Sequence, residues 1–210
     1  MGKENEISAS KLLIVEGNHE RDFFTSWFEV LGITDIQVMP IGGKTLLQAN
    51  LAPLVKQSAF RQVTCLVVVR DADDDPQGAF QSVHDTLTNC GLDARQHAWE
   101  FTWTGTPRTA IVLMPQLDQP GALEELLMQT VQNDPMAAEA GQFIQTAVYK
   151  LPPGGPRKPP PAHKQGKARV HAFLATFDEP DKDQGKAAKA GVWNFNHPAL
   201  QPLLAILRQM

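Results

Sequence analysis

The sequence predicts an α/β fold, a mostly parallel central sheet flanked by helices, followed by a helical C-terminal extension. Three observations predict it. First, apolar runs at Lys11–Val15, Ile36–Ile41 and Val63–Val69 alternate with segments of helical period, giving the order β-α-β-α-β-α. Second, Cys65–Val69 is apolar without alternation, as in a parallel strand covered on both faces. Third, 210 residues, 42% of them hydrophobic, suffice to bury one large core without staples. Residues 1–210 are read as a single domain, with an α/β core over 10–130 and a helical extension over 131–210.

The first strand, Lys-Leu-Leu-Ile-Val, is broken by Glu16-Gly17-Asn18. Asn18 is the expected N-cap of the next helix, and Glu20 falls in its first turn, where the helix dipole favours negative charge. Phe23, Phe24, Trp27, Phe28 and Leu31 form its apolar stripe, and Gly32 ends it. After the second strand, Gly42-Gly43 turns the chain. Thr45 opens a helix with Leu47, Leu51, Leu54 and Val55 inward. Gly43-Lys44-Thr45 has the tail of a phosphate-binding loop, but Val38 stands where that motif has its first glycine. It is read as a tight turn whose Gly42, Gly43 and Lys44 offer a phosphate contact at a helix start. The third strand ends in Asp71-Ala72-Asp73-Asp74-Asp75-Pro76, and a helix with Phe80, Val83, Leu87 and Cys90 in register follows.

Ala98–Thr104 and Ala110–Met114 are two further predicted strands, joined through Gly105-Thr106-Pro107. A helix begins near Gly121. A second opens at Asp134-Pro135 with the stripe Met136, Ala140, Phe143, Ile144 and Ala147. The proline-rich segment 151–161 is extended, either a cover over a site or a plain connector. His163–Phe177 is helical, burying Val170, Phe173, Leu174 and Phe177. Lys164 and Lys167, with Arg157, Lys158 and Arg169, make one concentrated basic region. Gly185–Gly191 holds at most a short helical piece, and the last helix turns Leu200, Leu203, Leu204 and Leu207 inward.

Composition narrows the function. A net charge of −4 excludes coating nucleic acid by bulk charge. Cys65 and Cys90 have no metal-ligand spacing and read as reduced thiols. No apolar stretch spans a bilayer, and the polar Met1–Lys11 segment lacks a signal-peptide core, so a cytoplasmic protein with no membrane partner is expected.

The chemistry sits at strand ends. Four carboxylates between Asp71 and Asp75 repel one another unless a cation compensates them. A hard divalent metal with oxygen ligands does so most simply, Mg²⁺ first and Mn²⁺ as its substitute. Glu16 and Glu20 follow the first strand, and Glu124 and Glu125 follow the last. In a parallel sheet such ends share one edge, so these carboxylates converge. A nearby lysine, Lys164 or Lys167, would add a fixed cation for developing negative charge.

Val15-Glu16-Gly17-Asn18-His19-Glu20 after one strand, Gly42-Gly43 after the next and Asp71-Ala72-Asp73 after the third resemble the Toprim domain, a Rossmann-like metal-binding fold. Gly121, Leu123 and Glu124 with the lysine-bearing helix are most similar to its OLD-family nuclease branch. The resemblance covers residues 10–130. It implies Glu16 as metal ligand or general acid/base and Glu20 as the second acidic position. Asp71 and Asp73 become metal-binding aspartates, Glu124 a further metal carboxylate, and Lys164, with Lys167 as rival, the catalytic lysine. The chain lacks an ATPase domain, so a separate ATPase is a candidate partner. Its only tyrosine, Tyr149, lies on a predicted helix, and it has no zinc cluster, so topoisomerase and primase activities are not expected.

The expected function is a divalent-metal-dependent phosphodiester hydrolase acting on nucleic acid, DNA ahead of RNA. The alternatives are a non-catalytic Toprim-like module that binds metal with nucleic acid or nucleotide, and a phosphatase built on the Asp71-Ala72-Asp73 motif. In the phosphatase pattern Thr or Val follows the pair, whereas Asp74 follows here.

Overall fold

The computed structural model describes residues 6–151 and 157–210. Residues 1–5, and residues 152–156 of the proline-rich segment, lie outside the described residues. Strands β1 (Lys11–Val15), β2 (Ile36–Pro40), β3 (Cys65–Asp71) and β4 (Arg108–Met114) form one sheet in the order β2-β1-β3-β4. Every neighbouring pair is parallel. The helices are α1 (Asn18–Leu31), α2 (Leu47–Val55), α3 (Pro76–Asn89), α4 (Leu123–Thr130), α5 (Pro135–Lys150), α6 (Gln165–Leu174), α7 (Gln184–Lys189) and α8 (Gln201–Leu207).

The strand pleat sorts the core into two layers. Leu13, Val15, Val67, Val69 and Val112 face Phe23, Phe24 and Trp27 of α1. Val170, Phe173, Leu203 and Leu207 from the C-terminal helices, and Trp193 from the segment between α7 and α8, complete that layer. Leu12, Ile14, Leu66, Val68 and Ile111 face Leu51 and Leu54 of α2 and Val83 and Leu87 of α3. Burial on both faces explains why the strands are continuous apolar runs. Among the described residues no helix is long and apolar enough to cross a membrane.

Several local expectations are corrected. Ala98–Thr104 is not a strand, because Trp99 takes a left-handed φ of 66° that breaks the extended run. The segment still runs along β4, donating from Trp99 N to Ile111 O at 2.7 Å and from Thr102 N to Thr109 O at 2.9 Å. Trp103 is 84% exposed rather than packed. Gly17, not Asn18, is the N-cap of α1, with no side-chain cap bond. A 3₁₀ turn at Lys44–Leu46 delays the second helix to Leu47. On α5 the buried residues are Ala137, Ala140 and Ile144, while Met136 is 41% and Phe143 66% exposed. The small residues of α5 face the protein, allowing α5 and α6 to approach closely.

Close approach governs α7 as well. A Cβ on Gly185 would stand 2.7 Å from the Asp22 carbonyl oxygen of α1, a backbone atom that cannot step aside. Gly185→Ala is therefore expected to destabilise the fold by about 1–3 kcal/mol. A Cβ on Gly141, within α5, meets nothing within 4 Å. Gly141→Ala should stabilise by about 0.5–1 kcal/mol. Urea midpoints of the two variants check both signs, and an unchanged Gly185→Ala midpoint would refute the tight α1–α7 contact.

Candidate functional site

The chain leaves β1 for β2 on one side and returns to β3 on the other. The carboxyl ends of β1 and β3 are therefore the topological switch point, where open α/β sheets form a ligand crevice. Glu16 follows β1 directly, and Asp71 is the last residue of β3. The β1–β3 register, Ile14 opposite Val68, continues to set Glu16 beside Arg70. Arg70 lies on the α2 and α3 face with Val68, and Asp71 on the opposite face with Val69.

Glu16 is mostly enclosed, with its Oε1 3.6 Å from Arg70 Nε. Glu16 Oε1 and the Nε and Nη1 atoms of Arg70 are buried without a hydrogen-bond partner. Burial pushes the Glu16 carboxyl up to about 7 against the pull of Arg70, and the charges of Asp73 and Glu20 add to the rise. Asp71 keeps part of its surface open but is hemmed in by protein. Burial, then the negative charges of Glu16, Glu124 and Glu20, holds its carboxyl well above the usual carboxylate range. The Leu123 amide at the start of α4 opposes this by donating to Asp71 Oδ1 at 3.0 Å.

Asp73 takes a left-handed φ of 50° and is tied to Gly121 by paired backbone bonds of 2.8 and 2.7 Å. Its Oδ2 accepts from Lys44 Nζ at 2.6 Å. Glu124 is only 5% exposed and accepts from Gln184 Nε2 at 2.9 Å. Gln184 in turn receives Trp193 Nε1 on its carbonyl, so α7 carries a fixed amide to this carboxylate. Glu20 folds back toward the β1–α1 turn: a Cβ on Gly17 would lie 3.1 Å from its Oε2. The carboxylates of Glu16, Glu20, Asp71, Asp73 and Glu124 thus share one electrostatic neighbourhood.

Glu125 stands beside them. It accepts from Ala122 N at 2.9 Å and from Arg169 Nη2 at 3.3 Å, and burial pushes its carboxyl up. Asp75 instead caps α3, accepting from Gly78 N at 2.9 Å, as its place before Pro76 implies.

Gly42 and Gly43 have φ of 84° and 105°, which only glycine adopts freely. The Gly43 amide donates to Glu16 O at 2.7 Å, so it braces the acidic loop and is not open to a phosphate. Lys164 and Lys167 are exposed at the start of α6. Neither side chain makes a hydrogen bond or ion pair among the described residues. The cations that reach the carboxylates are Arg70, Lys44 and Arg169. Gln184 and the roles of Arg70 and Arg169 escaped sequence reasoning. Register to Glu16 could have found Arg70, but nothing in the sequence marks Gln184.

Among the described residues, no three His, Cys, Asp or Glu side chains stand gathered as a ready metal-ligand set. The donor chemistry nevertheless fits a hard divalent cation. The donors are carboxylate oxygens, Glu16 Oε1 is an orphaned buried acceptor, and burial, with repulsion from neighbouring carboxylates added, raises the Glu16 and Asp71 carboxyls.

Fold and site together define an α/β protein with an acidic switch-point crevice. The chain belongs to the family described as "Protein of unknown function (DUF3226)", whose model matches residues 10–210. No curated protein matches it. Among solved structures it is similar to the C-terminal region of the Burkholderia pseudomallei OLD protein, at 16% identity over 97% of this chain and 98% of that one, with a TM-score of 0.47. It is also similar to the C-terminal region of the Xanthomonas campestris pv. campestris OLD protein, at 14% identity over 97% of each chain, with a TM-score of 0.46.

The raised Glu16 carboxyl has a stability consequence in chelator. Folded Glu16 keeps its proton to about pH 7, and the unfolded chain releases it near 4.5. The stabilising contribution is fully present below that lower value and is lost as pH rises through about 7. The loss is on the order of 2–3 kcal/mol. Asp71, raised as well, acts in the same direction. Urea denaturation in EDTA across this window should show the decline, and Glu16→Gln should flatten it.

Proposed function

We propose that this protein is a divalent-metal-dependent phosphodiester hydrolase acting on nucleic acid, DNA ahead of RNA. The observation that carries the reading is the convergence of Glu16, Glu20, Asp71, Asp73 and Glu124, from β1, α1, β3 and α4, on one switch-point crevice. Asp71, Asp73, Glu20 and Glu124 would hold Mg²⁺ or Mn²⁺, which supplies Lewis-acid stabilisation of phosphate charge. Glu16, with a carboxyl near 7, is poised to take the proton of an attacking water at neutral pH. Arg70 offers two unpartnered guanidinium nitrogens to a phosphate oxygen.

Lys44 balances Asp73 and would be freed were a divalent ion held by that carboxylate. Lys164 and Lys167 flank the crevice, because Ala162 and Gly166 on either side of Lys164 adjoin Glu125. In this reading they meet the polymer backbone.

A second reading, a binding module without cleavage, is favoured by one observation: neither lysine contacts the carboxylates. Cleavage of plasmid, single-stranded DNA and RNA, with Mg²⁺ or Mn²⁺ and with chelator, separates the two. Asp71→Asn keeps the acceptor for Leu123 N–H, so the fold should survive while cleavage falls by at least about 10²-fold. Metal binding by calorimetry without cleavage would leave the binding module. Neither binding nor cleavage would overturn both readings.

The lysines give a separate check. Lys164→Ala with Lys167→Ala should raise KM for polymer and reduce its salt dependence by about one charge each, with kcat within about threefold. A collapse of kcat would place one of them in the chemistry instead.

A further inference from the structure

A second cavity, of about 530 Å³, opens beside the carboxylate crevice. Its volume is within the range of about 300–1,000 Å³ usual for small-ligand sites. It lies between the start of α1 and the side of α2, at the carboxyl ends of β1 and β2. Met39, Ile41 and Leu54 form apolar walls, and Asn18 and Asn50 bring amide side chains to the rim. None of its lining residues carries a charge. This contrasts with the neighbouring crevice, where Glu16, Arg70, Asp71 and Asp73 bring charged groups together. Asn50 Nδ2 donates to Ile41 O at 2.7 Å, which fixes the side chain and leaves its Oδ1 as an acceptor. The two sites meet at the β1–α1 turn: Glu16 faces the crevice, and the next two residues, Gly17 and Asn18, line the cavity.

From this juxtaposition we infer that the cavity receives the base and sugar of one unstacked nucleotide, whose phosphate then lies at Glu16. This inference rests on the nucleic-acid reading above and names the form of the substrate. A nucleobase is flat, uncharged, apolar on its faces and rich in hydrogen-bonding groups at its edge. An uncharged cavity with apolar walls, the fixed Asn50 amide and Asn18 at its rim is complementary to it. A charged sugar phosphate or an acidic peptide would find no counter-ion among the lining residues. A base stacked within a duplex cannot enter, so the substrate is single-stranded or has a frayed end.

Nucleoside binding tests this without metal or cleavage. The full chain in EDTA is titrated with adenosine, guanosine, cytidine and thymidine, and amide shifts are followed by NMR. Inorganic phosphate serves as the control ligand. Saturable shifts at Asn18, Met39, Ile41, Asn50 and Leu54 below about 5 mM are expected for at least one nucleoside. Asn18→Trp and Pro53→Trp, both at exposed rim positions, should each weaken that binding by about tenfold or more. Asp71→Asn should bind nucleosides normally while losing cleavage, so a failed hydrolase reading and a failed pocket are told apart. The inference is overturned if no nucleoside perturbs these residues, if phosphate alone reproduces the shifts, or if both tryptophan variants bind unchanged.

Discussion

The side-by-side placement of β1 and β3 is the constraint on which the rest of the structure depends. Parallel pairing in the observed register leaves Glu16 no choice but to stand against the end of β3, where Arg70, Asp71 and Asp73 leave the sheet. Distance cannot relieve the repulsion, because the strands are fixed by apolar cores on both faces. Relief comes from local partners: Arg70 for Glu16, Lys44 for Asp73, and the α4 amide for Asp71. Burial works against it, and with the neighbouring negative charges keeps the Glu16 and Asp71 carboxyls raised.

The C-terminal helices belong to this arrangement as much as the sheet does. Gly166 of α6 sits against Glu125, with no room for a side chain, and Gly185 of α7 sits against the α1 backbone. These two contacts bring Arg169 to Glu125 and Gln184 to Glu124. A buried glutamate and a glutamine amide in such contact stabilise each other by hydrogen bonding, and removing either orphans its partner. The extension therefore sets the polarity around the acidic loop after β4 while it closes the hydrophobic layer under α1.

The core strands were legible because a parallel strand buried on both faces is an unbroken apolar run, and Lys11–Val15 and Cys65–Val69 are such runs. Glu16, Asp71 and Asp73 were legible for a related reason: an acidic residue where such a run stops must lie at a sheet edge. Residues whose meaning depends on tertiary approach were not. Gln184 is an ordinary polar residue until α7 packs on α1. The α5 stripe held at Ala140 and Ile144 but was misjudged at Met136 and Phe143, which outrank Ala137 in hydrophobicity, whereas close helix packing selects the smaller residue. Ala98–Thr104 had strand-like composition, but Trp99 turns left-handed and leaves only two ladder bonds to β4. Lys164 and Lys167 were placed by a basic cluster on one helix and by the family resemblance, neither of which gives the distance from another element.

The two internal cation pairs are unequal, and the inequality bears on how the crevice could work. Lys44 and Asp73 meet at 2.6 Å on a side where the lysine is about half exposed. A pair in that setting contributes roughly 0–1 kcal/mol, so a divalent ion competing for Asp73 displaces little. Arg70 and Glu16 are both largely enclosed, yet 3.6 Å apart, with donor and acceptor atoms left unpartnered. Enclosed groups that fail to satisfy one another retain the full cost of their lost hydration. A phosphate oxygen at Arg70 and a water at Glu16 would satisfy both groups at once. Preorganised polar groups of this kind gain most from a partner that carries the charge they lack, so the unsatisfied Arg70–Glu16 pair, more than the closed Lys44–Asp73 pair, marks where chemistry would occur.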